Sequence, residues 1–394
     1  MNVRIRIVEN LDDAKNEIVK IGCDPAGVKL MMPKAVHRTI KIEKIDSRAA
    51  NIMKQEMLSA GGDAAISRNA LLGKQKTDVL IMGTIKQYDG LINKLKMQPF
   101  GLKKIADEIE SILTVFERKK YQVLKCGKYS LGIGKKTYIM GILNVTPDSF
   151  SGDGITNAEN AVEKAKEMVK EGADIIDVGG ESTRPFSKPV SEKEEWKRVG
   201  NVLNKLIDEV DVPVSIDSYK PGIVKKALDS GANIINDISG LRNKEMVKIA
   251  SKYDAPVVIM HMKGTPRNMQ KKPEYEDVVG EIFSFFKKRI GYAENNGIGK
   301  IIIDPGIGFG KNLEHNLEIL RRLREFKSLG KTLLVGPSRK SFIGKILGLP
   351  VDERLEGTLA SVALCIANGA DIIRVHDVKE CVRVAGIMDA IMKK

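Results

Sequence analysis

The sequence predicts an α/β fold in which a (β/α)8 TIM barrel follows a β-hairpin and a smaller N-terminal α/β domain. Two observations predict the barrel: short apolar stretches alternate eight times with helical ones after residue 136, and every such stretch ends in a polar or charged group. Eight units in about 255 residues match the usual size of this barrel. A doubly wound open sheet also alternates strands and helices, but the number of units and the placement of polar residues favour the barrel.

The boundaries follow from the apolar runs and from the glycines that interrupt them. The predicted barrel strands are 138–145, 174–178, 214–217, 234–238, 257–261, 301–304, 333–336 and 372–376. The predicted helices include 157–170, 192–210, 277–295 and 357–368, several of which stop at Gly-Ala or Asn-Gly. Residues 121–124 and 129–133 flank Lys125-Cys-Gly-Lys128, which predicts a β-hairpin acting as a hinge. We therefore divide the chain into residues 1–120, without an assigned role, and the barrel, residues 121–394.

The first part shows weaker patterns. Residues 3–8 alternate apolar and polar side chains like a strand, and residues 11–21 have helical spacing after a cap at Asn10. Further strands are predicted at 27–32, 39–45 and 78–82, and further helices from Ser47 and over 102–118. These segments predict a small α/β unit with no catalytic constellation of its own.

Composition limits the function classes. The chain is 42% hydrophobic and 29% charged, and no apolar run approaches the ~20 residues of a membrane helix, so we expect a cytoplasmic protein without membrane contact. Four distant cysteines predict neither a disulfide framework nor a zinc site. The net charge of +14 arises mainly in residues 1–136, with 26 Lys and Arg against 15 Asp and Glu. We interpret this excess as a solvated surface rather than a nucleic-acid site, and keep polyanion binding as an alternative.

The candidate site lies where the barrel strands end, because catalytic groups of such barrels gather at the carboxyl ends of the strands. In residues 301–312, three isoleucines lead into Asp304 and the chain then turns through three glycines. The other strand ends are Asn144, Asp177, Asp217, Asn236 with Asp237, His261, Ser338 through Lys340, and Arg374 with His376. Burying eight polar ends together is costly unless a ligand, an ion or mutual hydrogen bonds satisfy them.

The types of side chain indicate the ligand. Asp304, Asp217 and Asn236 suit a flat heterocycle rich in N–H donors, whereas Lys340, Arg374 and His376 suit phosphate oxygens. Loops 146–154 and 179–185 are rich in glycine, hydroxyls and acids, as closing loops would be. Neither a Ser-His-Asp or Cys-His arrangement at motif spacing nor H-E-x-x-H occurs in the sequence, which disfavours hydrolase and zinc chemistry.

Seven motifs in order now identify a resemblance. They are Met140-Gly-Ile-Leu-Asn-Val-Thr-Pro-Asp-Ser-Phe150, Asp177-Val-Gly-Gly-Glu-Ser-Thr-Arg-Pro185, Ser215-Ile-Asp-Ser218, Ile235-Asn-Asp-Ile238, Asp304-Pro-Gly-Ile-Gly-Phe-Gly-Lys311, Ser338-Arg-Lys-Ser341 and Arg374-Val-His-Asp377. Together they resemble the dihydropteroate synthase family from about residue 121 to the end of the chain.

The resemblance implies a transferase of folate-type cofactor biosynthesis that moves the pterinylmethyl group of 6-hydroxymethyl-7,8-dihydropterin diphosphate to 4-aminobenzoate and releases pyrophosphate. It implies that Asp217, Asn236, Asp304 and Lys340 surround the pterin. Arg374 and His376, with Val375 between them, would hold the diphosphate, and Asn144 would bind Mg²⁺. The implied catalytic residues are Lys340, Arg374, His376 and Asp217. The implied arylamine pocket comprises Thr183, Arg184, Pro185, Phe309, Lys340 and Ser341. Small-molecule substrates and a homodimer are the implied partners.

Two departures from the family pattern concern the arylamine side. Phe186 and Ser187 follow Pro185 where Gly-Ala is usual, and the first loop reads Ser-Gly-Asp-Gly where Ser-Asp-Gly-Gly is common. An acceptor of the methanopterin pathway, a ribofuranosylaminobenzene phosphate, therefore remains an alternative to 4-aminobenzoate. A pterin-dependent methyltransferase is a further alternative, although it needs no diphosphate site.

Overall fold

A computed structural model of the chain describes residues 1–72, 76–117, 121–145, 157–182 and 189–392. It divides into two compact units, residues 1–119 and 120–394. Within the described residues, no helix is long and apolar enough to cross a membrane. All four cysteines are free thiols, and three of them are buried.

The first unit contains helices, a short 3₁₀ turn and a three-stranded antiparallel sheet in the order β1-β3-β2. Its elements are α1 (Leu11–Lys20), α2 (Pro25–Ala35), β1 (His37–Asp46), α3 (Ser47–Ser59), β2 (Asp63–Ile66), β3 (Lys76–Thr84), α4 (Ile85–Leu95) and α5 (Leu102–Glu117). Its buried core joins α3, α4 and α5 to the inward face of the sheet through residues such as Met53, Ile81 and Leu91.

Two strand predictions in this unit are wrong. Residues 3–8 form no strand, and Val3, Ile5 and Ile7 are exposed, because alternation alone does not supply the pairing partner that a strand requires. Residues 27–32 lie inside α2. There the Asp24 side chain accepts hydrogen bonds from the N–H groups of Ala26 and Gly27, both at 2.9 Å, so helix capping outweighs the apolar run.

The second unit is a closed barrel of eight parallel strands flanked by helices, as predicted. The strands are β6 (Tyr138–Asn144), β7 (Ile175–Gly179), β8 (Val214–Asp217), β9 (Ile234–Asp237), β10 (Val257–Met260), β11 (Ile301–Asp304), β12 (Thr332–Val335) and β13 (Ile372–Val375). The helices are α6 (Asn157–Lys170), α7 (Glu192–Glu209), α8 (Pro221–Asp229), α9 (Lys244–Tyr253), α10 (Val278–Asn295), α11 (Leu313–Arg321), α12 (Ser341–Leu347), α13 (Leu355–Ala367) and α14 (Val378–Met392). All eight predicted strands and the four predicted helices therefore exist, with ends that differ by at most two residues.

The predicted hairpin, β4 (Gln122–Cys126) and β5 (Tyr129–Ile133), belongs to the barrel unit. Its buried side chains Leu124, Cys126, Leu131 and Ile133 pack against residues near the starts of the barrel strands. The hairpin therefore closes the amino-terminal end of the barrel with apolar side chains, and the opposite end carries the polar groups.

A repeated turn fastens three barrel strands at this amino-terminal end. Gly-Ala-Asp or Gly-Ala-Asn follows α6, α8 and α13, and the glycine has a positive φ of 105°, 111° or 90°. In each turn the Asp or Asn backbone N–H donates to a carbonyl of the neighbouring strand, while its side chain accepts an N–H of the same strand. The pairs are Asp174 with Ile139, Asn233 with Val214, and Asp371 with Leu333. These turns fix how adjacent strands align and thus which strand ends meet at the other mouth.

We expect Asp371→Ala to lower the free energy of unfolding of the barrel by about 1.5–3 kcal/mol, the usual range for hydrogen bonds to a charged group. Asp371 is buried, accepts the Leu333 N–H at 2.8 Å and forms an ion pair with Lys327 at 2.8 Å. Urea denaturation followed by circular dichroism measures the change. Asp371→Asn, which keeps an acceptor, should lose less, and the exposed Asp208→Ala is the control. Equal midpoints for Asp371→Ala and the control would refute this role.

Candidate active site

A cleft at the carboxyl ends of the barrel strands brings together groups from six different strands and the loops that follow them. It encloses about 350 Å³, including its open mouth. The lining residues are Asp217, Asn236, Ile238, Met260, Asp304, Ile307, Phe309, Gly336, Lys340 and Arg374. Polar groups and apolar side chains thus line the same cavity, which suits a flat ligand with polar edges.

The centre of the polar side is an ion-pair network around Arg374. Its Nε donates to Asp177 Oδ2 at 2.6 Å and its Nη2 to Asp217 Oδ2 at 2.7 Å. Asn236 Nδ2 donates to the same Asp177 oxygen at 2.9 Å. Burial disfavours the charged form of Arg374, but the two carboxylates outweigh that effect and raise its pKa. Arg374, which lies on β13, therefore links the carboxyl ends of β7 and β8.

The network leaves buried acceptors without a donor. Asp177 Oδ1 and Asp217 Oδ1 are buried, and no donor reaches either oxygen from the described part of the chain. Burial raises the pKa of the Asp217 carboxyl to about 7, even though Arg374 favours the ionised form. An unsatisfied buried carboxylate oxygen is costly, so a ligand N–H that reaches Asp217 would gain a strong hydrogen bond.

Asp304 and Lys340 form another part of the cleft. Asp304 ends β11, and its Oδ1 accepts the N–H of Gly306 at 2.7 Å. Burial raises the pKa of Asp304, and the Gly306 hydrogen bond opposes that shift. The Lys340 ammonium lies 4.3 Å from the centre of the Phe309 ring. The cleft therefore presents a carboxyl group, an ammonium and an aromatic face within one wall.

His376 lies next to the cleft and interacts with Ser338. The Ser338 hydroxyl oxygen accepts the His376 backbone N–H at 3.2 Å and lies 3.0 Å from its Nδ1. Burial and the nearby Arg374 lower the pKa of His376 to about 3, so its imidazole is neutral at pH 7. The Ser338 hydroxyl can donate to Nδ1, and in that tautomer the ring proton lies on Nε2, where it is available as a donor.

The predicted site residues fall into three groups. Those that line the cleft together are Asp217, Asn236, Asp304, Phe309, Lys340 and Arg374. Those described elsewhere are His376, Val375, which is buried in β13, Ser341, which is exposed at the start of α12, and Asn144, which ends β6. Thr183, Arg184 and Pro185 lie outside the described residues, as do loop residues 146–154 and the variant positions Phe186 and Ser187.

The sequence predicts Asp177 among the converging strand ends but assigns it no role, although it is the shared partner of Arg374 and Asn236. The polar strand end was visible, but its partners lie up to 197 positions away and depend on closure of the barrel. The apolar floor formed by Ile238, Met260 and Ile307 was also missed. Ile238 and Met260 each adjoin a polar strand end, and Ile307 lies in the glycine loop after Asp304; their positions in the sequence give no other signal.

The described residues fit a magnesium ion that arrives with its ligand better than one held by the protein alone. Among them, no group of three or more His, Cys, Asp or Glu is arranged to hold a metal. Asn144 offers one half-buried amide at the end of β6. Because Mg²⁺ keeps much of its shell as water and substrate phosphate, a single neutral oxygen ligand from the chain is compatible with it.

A closed (β/α)8 barrel with carboxyl groups, an amide and two cations around one cleft at the carboxyl ends of its strands is the arrangement of a TIM-barrel enzyme. The model of the pterin binding enzyme family matches residues 140–376. Dihydropteroate synthase of Synechocystis is 46% identical over 275 residues, which cover 68% of this chain and 95% of that protein. A solved dihydropteroate synthase from Clostridium difficile, crystallised in the presence of pteroic acid, has a TM-score of 0.64 and 49% identity, and covers 67% of this chain and all of that one.

The chain belongs to the pterin binding enzyme family and, within it, to the dihydropteroate synthases. A longer relative is the probable bifunctional folylpolyglutamate synthase/dihydropteroate synthase of Halobacterium salinarum. It is 39% identical over 386 residues, which cover 97% of this chain but only 46% of that protein. This match takes in most of the N-terminal unit as well as the barrel, and the chain spans about half of that relative's length.

We expect the melting temperature of Asp217→Asn, taken as a difference from that of the unchanged protein at the same pH, to become more favourable from pH 5 to pH 8, whatever the constant cost of losing the Arg374 ion pair. The folded-state pKa of about 7 exceeds the ordinary 3.8, so folding favours the protonated carboxyl. The stability that Asp217 contributes is therefore present below pH 4 and is lost as the pH rises towards 7. Asparagine resembles the protonated acid and does not titrate.

Differential scanning fluorimetry at four pH values measures this difference. Each 1 kcal/mol should appear as about 2–4 °C for a protein of this size. The exposed Asp208→Asn is the matched control and should follow the unchanged protein at every pH. A difference that stays constant between pH 5 and pH 8 would show that the Asp217 carboxyl titrates as it does in water.

Proposed function

We propose that the barrel transfers the dihydropterin-6-ylmethyl group of 6-hydroxymethyl-7,8-dihydropterin diphosphate to the amine of 4-aminobenzoate and releases pyrophosphate. One observation carries this proposal: Asp217, Asn236, Asp304 and Lys340 meet around one cleft whose buried Asp217 oxygen has no donor from the described residues. A pterin presents several N–H groups along one edge, which is what these acceptors require. Pteroic acid, present with the Clostridium difficile relative, joins the pterin and aminobenzoate halves.

The residues of the cleft suit the two ends of the donor substrate differently. Asp217 and Asp304 would accept ring N–H groups, and Asn236 can both accept and donate. Arg374, which already lies against two carboxylates, would offer its cationic edge to the diphosphate, with the neutral His376 as a hydrogen-bond donor. The substrate would therefore lie with its ring over the acids and its diphosphate towards the end of β13.

The transfer breaks the bond between the methylene carbon and the diphosphate oxygen and forms a bond from that carbon to the arylamine nitrogen, which loses one proton. As the carbon–oxygen bond breaks, positive charge develops on the pterin and negative charge on the leaving diphosphate. The buried carboxylates near the ring would stabilise the former, and Arg374 and His376 the latter. The chain needs to supply no covalent nucleophile.

A magnesium ion, when bound, would neutralise part of the diphosphate charge and so favour its departure. We propose that Asn144 holds it from the protein side, with the remaining ligands from water and the substrate. The arylamine would enter beside Phe309 and Lys340, with Thr183, Arg184, Pro185 and Ser341 as further proposed contacts. We also propose that the enzyme works as a homodimer, as the family resemblance implies.

Pyrophosphate release in the presence of Mg²⁺ tests the function. The pterin diphosphate is mixed with 4-aminobenzoate, with its ribofuranosyl phosphate analogue or with no acceptor, and kcat/KM is compared. We expect acceptor-dependent release with a clear preference for 4-aminobenzoate. Preference for the ribosyl phosphate would move the enzyme to the methanopterin pathway. No release with either acceptor would contradict the transferase and favour a pterin-dependent methyltransferase.

A further inference from the structure

A loop of alternating glycines carries one wall of the cleft. It follows Asp304, and Gly306, Gly308 and Gly310 have positive φ values of 69°, 84° and 64°. A Cβ atom at Gly306 would lie 2.2 Å from the backbone oxygen of His261. Because the clash is with backbone, only a shift of the main chain could relieve it. The loop therefore lies directly on the end of β10.

Side chains from other segments hold this loop, because no strand in the described part of the chain pairs with it. Asn316 accepts the Gly308 N–H at 2.7 Å, and Gln270 donates to the Gly308 carbonyl at 2.7 Å. The Tyr275 hydroxyl donates to the Gly310 carbonyl at 2.8 Å. Each contact satisfies a backbone group of the loop and fixes its path.

Lys311 makes the remaining contacts, and it is only 2% exposed. Its ammonium donates to the Phe309 carbonyl at 3.0 Å and to the His261 carbonyl at 3.2 Å, and lies 3.1 Å from His261 Nδ1. These three acceptors match the three N–H bonds of a lysine. Lys311 thus ties the backbone of Phe309 to the end of β10.

His261 is suited to accept this hydrogen bond. Its ring packs edge-on against Phe285 at 5.0 Å between ring centres, which fixes its orientation. Burial and the nearby Lys311 lower the pKa of His261 to about 2, so the imidazole is neutral and Nδ1 is an acceptor. Burial also lowers the pKa of Lys311 to about 7, so the ammonium with its three N–H bonds is the main form below that pH, and the assays of this pair are made at pH 6.

Phe309, whose carbonyl Lys311 holds, lines the cleft together with Ile307 of the same loop. Its ring lines the cavity beside Asp304 and lies 4.3 Å below the Lys340 ammonium. A shift of the Phe309 backbone would therefore move both the aromatic face and the cation that packs on it. Lys311 and His261 themselves do not line the cleft.

We propose that Lys311 and His261 form a positioning pair that fixes the Phe309 ring and thereby sets the affinity for the arylamine acceptor. The inference rests on the proposed function, since it assigns the Phe309 wall to the acceptor. Neither side chain lines the cleft, so the pair acts through the Phe309 backbone carbonyl that Lys311 holds.

The test combines Lys311→Met with Phe309→Leu. Lys311→Met keeps the length of the side chain without its donors, and we expect it to raise KM for 4-aminobenzoate about tenfold, as loss of a charge-assisted hydrogen bond implies. Its Kd for the pterin diphosphate, measured by calorimetry, should stay within about twofold of the unchanged protein. The exposed Lys271→Met should change neither value.

A double variant then separates positioning from general loosening. If Lys311 acts through Phe309, adding Lys311→Met to Phe309→Leu should raise KM by less than about twofold, because the ring it positions is already gone. Multiplicative effects, or an unchanged KM in Lys311→Met, would overturn the proposal. If the protein without substitutions released no pyrophosphate, the proposed function itself would be contradicted.

If Lys311→Met does not fold, variants of His261 test the role of the pair. His261→Asn retains an acceptor near the position of Nδ1, and His261→Leu removes it. The Asn variant should keep a KM for 4-aminobenzoate close to that of the unchanged protein, whereas the Leu variant should show the increase. Equal KM values for the two variants would refute the role of the pair.

Discussion

The contact of Arg374 with Asp177 and Asp217 is the interaction on which the site depends. Burying the Arg374 guanidinium in the barrel mouth costs hydration free energy, and its ion pairs with the two carboxylates offset that cost. The same ion pairs offset the cost of burying the carboxylates. The three residues come from β13, β7 and β8, so the contact requires a closed barrel. Asn236 joins the same Asp177 oxygen from β9. A single cation thereby arranges the ends of four strands.

The amino-terminal end of the barrel contributes to stability, and the carboxyl end carries the candidate site. At the amino-terminal end, the hairpin β4–β5 fills the opening with apolar side chains, and the Asp or Asn side chain of each Gly-Ala-Asp or Gly-Ala-Asn turn accepts a backbone N–H of the neighbouring strand. At the carboxyl end, Asp177 Oδ1 and Asp217 Oδ1 meet no donor from the described residues. This excess of acceptors lowers stability, and it is what a ligand rich in N–H groups can use.

Most of the barrel could be predicted from the sequence because its signals are local. Runs such as the three isoleucines that precede Asp304 are apolar throughout, as strands buried on both faces are, and glycines mark where helices stop. Local sequence patterns gave wrong predictions in two places. The cap at Asp24 made a helix of residues 27–32, and residues 3–8 had alternation without a partner. Which strand ends converge was predictable, since all must lie at one mouth.

The pairing of those ends was not predictable. Arg374 carries the same charge whether it meets phosphate or carboxylate, and only the register of β13, β6, β7 and β8 shows that Asp177 and Asp217 lie within its reach. The same holds for Lys311, which the motif places beside Phe309 but whose contact with His261 depends on how the glycine loop packs on β10. Spacing along the chain predicted the members of the site, and closure of the barrel determined their partners.

We propose that the acids of the cleft recognise the pterin ring itself, independently of the diphosphate. Calorimetric titration of 6-hydroxymethyl-7,8-dihydropterin, which lacks the diphosphate, into the protein without Mg²⁺ tests it most directly. We expect saturable binding at one site per chain, weakened in Asp304→Asn by about 1.5–3 kcal/mol, because a charge-assisted contact is lost. Binding that required both the diphosphate and Mg²⁺, or that was equal in Asp304→Asn, would contradict the account.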